Sequence, residues 1–167
     1  MKDSLQTRAD FLWHRLSTKS HYTAANLNLL SLAFLGAPAK VIVERVGTDG
    51  TIDEALERLK NKKWSYLAVP GIADEELDTV VNFIKEQRST YHKSFKAILP
   101  NVAADNEGII NFATDNIKAG GKTYTTAEFS MRIAGILAGL PLNRSATYYT
   151  LPEVESIQES ETPDTDV

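Results

Sequence analysis

Gly120–Gly121–Lys122–Thr123 ends as a phosphate-binding loop ends, with glycine, lysine and a hydroxyl residue in order. Such a loop cradles phosphate with its backbone amides and needs a further glycine at 116, where this chain has Asn116. It must also run straight into a helix N-terminus, and here Tyr124 and a helix-capping pattern intervene. The four residues read instead as a tight hairpin turn. His14, His21 and His92 fall in helix ends or polar connections, and none has the i, i+4 partner of a helical metal site. Asp105–Asn106–Glu107–Gly108 offers oxygen ligands without the spaced acids of a calcium loop, so it reads as a solvated turn. No G-x-S-x-G elbow and no G-x-G-x-x-G fingerprint occurs. With no cysteine, thiolate metal sites and disulfides are excluded. No catalytic, cofactor-binding or metal-ligating residue is nominated, and no cofactor is expected.

The elements that would position a site are easier to read. Leu5, Ala9, Leu12, Trp13 and Leu16 follow helical spacing. Thr23 can cap a helix running to about Leu35, with Leu27, Leu30 and Phe34 inward and Gly36 and Pro38 as its stop. Lys40–Val46 is β-branched and continuous enough for a buried strand. Thr51 and Glu54 have capping-box spacing before a helix with Ile52, Leu56 and Leu59 on its inner face. Trp64–Val69 predicts a strand. Asp74–Thr90 predicts a helix with a Leu77, Val80, Val81, Ile84 stripe, and Asp74, Glu75 and Glu76 suit its dipole. Ser94–Leu99 and Glu107–Ala113 predict strands, and Ile117–Lys118 with Lys122–Tyr124 an antiparallel edge hairpin. This alternation predicts an α/β class: a mostly parallel (mixed) open sheet with helices on both faces.

Composition sets the outer limits. A chain of 167 residues with 43% hydrophobic and 24% charged residues is ordinary for one globular domain. The apolar runs at 27–38 and 133–142 are too short for a membrane helix. The N-terminus does not read as a signal peptide, and a soluble intracellular product is expected. The net charge of −4 is unevenly placed: 152–167 carries six acids and no base, leaving 18 basic against 16 acidic residues elsewhere. Nucleic-acid binding is not expected, because no basic stripe with interleaved aromatics appears. The lysines at 60, 62 and 63 read as a solvated helix end. The expected organisation is an N-terminal helical extension or arm over 1–22, an α/β core over 23–151, and an acidic linker or tail over 152–167.

The most informative stretch is 123–154. Thr125 and Glu128 repeat the capping-box spacing. Phe129, Ile133, Ile136, Leu137 and Leu140 gather on one side of the following helix, with Gly135, Ala138 and Gly139 opposite. Glycine in a helix costs about 1 kcal/mol relative to alanine, so two on one face predict a close backbone approach. The partner is either within the chain, with 146–151 as the candidate, or another subunit. Tyr148 and Tyr149 face opposite ways in an extended strand, and which of them faces inward is left open.

The helix AEFSMRIAGILAGLPL followed by RSATYYTLPEV resembles the tail sheath protein of contractile phage tails and of phage-tail-like bacteriocins. NLNLLSLAFLGAPAKVIVERV, TIDEALERLKNKKWSYLAVPG, FKAILP and EGIINFA resemble earlier units of that family in order, so the match covers about 22–154. The resemblance implies a structural protein, not an enzyme. It implies hexameric rings of subunits around a tail tube, joined by extended arms, that contract on a baseplate trigger. The implied partners are other sheath subunits, the tube protein and the baseplate, with no membrane insertion. The implied place is the virion tail, or a phage-like particle, assembled in the bacterial cytoplasm. The compact sheath type is indicated, truncated before its C-terminal domain, so this chain alone is expected to be a monomer or weak oligomer. The competing readings are a small-molecule-binding or enzymatic α/β domain with no recognisable motif, and a tail-associated adaptor using the sheath core.

Overall fold

The computed structural model describes residues 22–47 and 49–158. The helix expected in the first 16 residues lies outside the described residues, as do His14 and His21.

Helix α1, Ala24–Phe34, starts where the Thr23 hydroxyl accepts the Asn26 amide at 3.2 Å. It stops as expected, with the Gly36 amide turned back onto the Ala33 carbonyl. Leu30, Leu32, Ala33 and Phe34 are buried. Helix α2, Ile52–Lys60, buries Ile52, Ala55, Leu56 and Leu59, and places Asp53 and Glu54 at its positive end and Arg58 and Lys60 at its negative end. The Thr51–Glu54 box does not form, and Thr51 caps only through its backbone. The Trp64 indole closes the other end by donating to the Leu59 carbonyl at 3.0 Å.

Strand β1, Tyr66–Ala68, leads to α3, Asp74–Ser89, and then to β2, Lys96–Pro100, and β3, Ile109–Phe112. Here β2 is central and parallel to both neighbours, with Leu67 opposite Ala97 and Ile98 opposite Ile110. Val80, Ile84, Ala97, Ile98 and Leu99 are wholly excluded from solvent, and a buried aliphatic side chain of this kind contributes about 1.5–3 kcal/mol. Val80, Ile84, Ala97 and Leu99 join Ile52, Leu56, Val81, Phe83, Phe95 and Ile109 in a first core, and the Trp64 ring stacks on Phe95 at 3.7 Å.

Strands β4, Asp115–Ala119, and β5, Lys122–Tyr124, form the expected hairpin, and helix α4 follows over Thr126–Gly139. Gly120 and Gly121 have φ of 57° and 71°, the left-handed pair that a two-residue hairpin turn requires. Thr125 and Glu128 form a complete capping box at α4, with bonds of 3.3 and 3.0 Å. Strand β6, Val154–Gln158, runs antiparallel along the other edge of β4 with register shifts. The first part of the acidic stretch is thus paired backbone. Leu32, Ile117, Tyr124 and Phe129 form a second core.

Two expectations need correction. The strands make two three-stranded sheets, β1-β2-β3 parallel and β5-β4-β6 antiparallel, and not one open sheet. The reason is edge occupancy: β4 has β5 and β6 on its two sides, which leaves no edge for β3. Lys40–Val46, expected as a strand, takes no regular secondary structure and belongs to neither ladder. One end of it leaves the α1 stop, and the other is clipped by Glu44, which accepts from Arg58 at 3.0 Å and pairs with Lys62.

Candidate assembly surfaces

The smooth side of α4 has its partner inside the chain. A Cβ added at Gly139 would lie 1.8 Å from the Gly36 carbonyl oxygen, and one at Gly135 would lie 2.1 Å from that of Ala33. A Cβ at Gly36 would in turn strike the backbone of Gly135 at 2.1 Å. The C-terminal ends of α1 and α4 therefore touch backbone to backbone, and 146–151 is not the partner. The sequence expectation of a close approach holds, and its occupant is 33–37.

The opposite role falls to Arg132, which the apolar pattern of α4 did not single out. Its side chain is 4% exposed, and its Nε pairs with Glu153, which is 22% exposed. Among the described residues its Nη1 has no hydrogen-bond partner. A buried guanidinium stays charged, so Glu153 fixes the approach to β6. The signal available in the sequence was one arginine within a helical run of apolar residues, but nothing local named Glu153.

Between these anchors, 141–148 is exposed throughout. Leu142 and Tyr148 stand fully in solvent, while Tyr149 is half-buried under the Arg144 guanidinium, 5.6 Å from its ring. Tyr148 has φ of 57°, an uncommon conformation for an aromatic residue. The expected extended strand is absent, with 147–148 in a turn closed by the Tyr149 amide on the Ala146 carbonyl, and Tyr149 is the more buried of the two rings.

The remaining motifs take structural roles. Lys122 reaches Asn28 Oδ1 at 2.7 Å, and the Gly121 amide donates to Glu155 at 3.0 Å. Asn106 closes its own turn by accepting the Gly108 amide at 2.9 Å. Glu107 pairs with Arg88, whose hydrogen bond holds that carboxyl below the ordinary carboxylate value. His92 is exposed in a connection with φ of 52°. Among the described residues no cluster of three acid or histidine side chains is placed to hold a metal ion, and no helix is long and apolar enough to cross a membrane.

Two grooves flank β1. One of about 670 Å³ lies between 38–42 and 64–68 and is also lined by Ala33, Met131, Ala134, Gly135, Lys62 and Lys93. A second of about 280 Å³ lies between 41–46 and 67–70. Hydrogen bonds from Lys62 and Arg58 lower the Glu44 pKa at their border.

Comparison with known proteins agrees with this architecture. A solved sheath tail protein from Desulfitobacterium hafniense superposes with a TM-score of 0.61 at 24% identity, over 74% of this chain and 33% of its own. One from Listeria innocua gives 0.52 at 21% identity, over 64% and 25%. A tail sheath protein of Clostridium phage phiCD119 is 36% identical over 143 residues, which is 81% of this chain and 40% of that relative. The chain thus spans about two-fifths of the length of that relative and a third or less of the two structures. The family model described as the phage tail sheath protein central domain matches residues 45–164. The chain belongs to the phage tail sheath protein family.

Proposed function

We propose that this chain supplies the central domain of a sheath subunit in a contractile phage or phage-like tail. In that role subunits stack as hexameric rings around the tail tube, and the rings contract from the baseplate to drive the tube through the target envelope. The observation that carries this reading is the match of 45–164 to the sheath central domain. The seam of α1 and α4 supports it physically, because a unit that changes neighbours during contraction has to move as one body. The core, 23–151 extended by β6, then has helices covering both faces of its parallel sheet, preceded by the 1–22 helical extension or arm and followed by an acidic linker that begins only after β6. The role is structural and non-enzymatic, needs neither nucleic acid nor membrane insertion, and places the protein in the virion tail after assembly in the host cytoplasm.

Immunogold electron microscopy of particles encoding this sequence, with antibodies raised against the chain, tests the proposal. Label along the whole sheath in extended and contracted particles is expected. Label confined to one end of the tail would indicate an adaptor, and unlabelled sheaths would remove the assignment.

A further inference from the structure

Tyr22, where residues 1–21 join the described structure, lines the smaller groove. Leu29, Val41, Val46, Leu67 and Pro70 line it too, and none of them is fully buried. Helix α1, which brings Leu29, reads AANLNLLSLAF and is apolar on nearly every side. Such a helix is ordinarily covered all round, yet Leu27 and Leu29 are only partly buried, and Val46 is 41% exposed. The groove is an apolar surface short of a cover. The chain that enters at Tyr22 carries a matching face. At helical spacing Leu5, Ala9, Leu12, Trp13 and Leu16 fall within an arc of about 100°, with Asp3, Thr7, Asp10 and His14 opposite. A helix this short is marginal in water without an apolar partner. Only residues 17–21 separate that stripe from Tyr22, a reach of at most roughly 20 Å. Folding back closes a short loop, whereas docking on a second copy costs the freedom of two molecules.

We propose that the groove beside Tyr22 is the docking site of the chain's own residues 1–16, held as a helix with its apolar stripe inward. Trp13 is the anchor, since aromatic side chains that fill pockets carry a large share of the energy at a contact. The groove of about 280 Å³ takes side chains, while the helix itself, about 10 Å across, lies over it. Docking covers Leu29 and Val46 and leaves Asp3, Asp10 and His14 to solvent. It makes 1–16 part of this domain's own packing and not a free arm. Groove, stripe and short connection are the same whether or not the chain builds a sheath.

Amide exchange of the intact chain, read residue by residue by NMR, tests this. Amides of 5–16 should exchange at least about tenfold more slowly than in an unstructured chain, equally across a dilution series. Leu12→Asp on the stripe and Val46→Asp on the groove should each return them to unstructured rates while α3 keeps its protection. Val46 is exposed enough for an aspartate there to spare the core. Fast exchange of 5–16 in the unaltered chain would overturn the proposal. Protection that survives Val46→Asp would seat the segment elsewhere, and protection that fades on dilution would give the groove to a second copy's segment. Either result would overturn it too.

Discussion

Ala33 and Gly135 stand between two opposite kinds of packing. On one side the ends of α1 and α4 meet so closely that no Cβ fits at Gly36, Gly135 or Gly139. On the other the same two residues line a groove of about 670 Å³ beside β1. A tight seam tolerates no added atom, whereas a groove tolerates substitution and rearrangement. The contrast locates the rigid part of the domain at the helix crossing and the adjustable part at the sheet edge.

The comparison breaks most sharply at the seam. Gly139→Leu should destabilise the domain by about 3 kcal/mol or more, because both approaching groups are backbone and cannot turn aside. Urea unfolding measures this, and unchanged stability would mean that the seam is not closed. Next comes Glu153→Ala, which leaves Arg132 buried without its carboxylate. A loss of about 2–3 kcal/mol is expected, moderated by the partial exposure of Glu153. Adding Arg132→Met should recover much of that loss, since an apolar side chain needs no partner. On the groove side Ile42→Ala should cost only about 1 kcal/mol, in keeping with half burial. A larger loss would show the segment to be as firmly packed as the seam.

The smallest effect concerns Glu44→Gln, under about 1 kcal/mol at neutral pH for an ion pair with exposed partners. Its sign with pH is defined. Lys62 and Arg58 lower the Glu44 pKa from its ordinary 4.5, so the contribution is complete above that value. It fades as pH falls through the depressed folded value. Acid titration of stability should therefore bring wild type and variant together at low pH, and a gap that widens there would contradict the clip.

Local signals were legible and distant ones were not. Gly120–Gly121 announced its turn because the demand for positive φ is met within two residues. Thr125–Glu128 and Thr51–Glu54 have the same spacing, yet only the former closes its box. Spacing makes the bond available without choosing the rotamer. Lys40–Val46 has the composition of a strand whether or not a ladder forms, and only the position of β1 decides that. The division into two sheets depended on β6, hidden in a stretch that acidity marked as solvated. The glycine face foretold a close contact, but its partner, 33–37, is far away in sequence. The Arg132–Glu153 pair was beyond reach for the same reason.

The exposed 141–148 stretch has a practical consequence for the chain's continuity. Arg144 lies in the turn closed by its own amide on the Pro141 carbonyl, open to a protease that cuts after arginine. A nick there would leave the downstream piece attached, with β6 still laddered to β4 and Glu153 still gripping Arg132. The polypeptide can be opened at that point without opening the domain, so the same spot should accept a new terminus or an inserted tag.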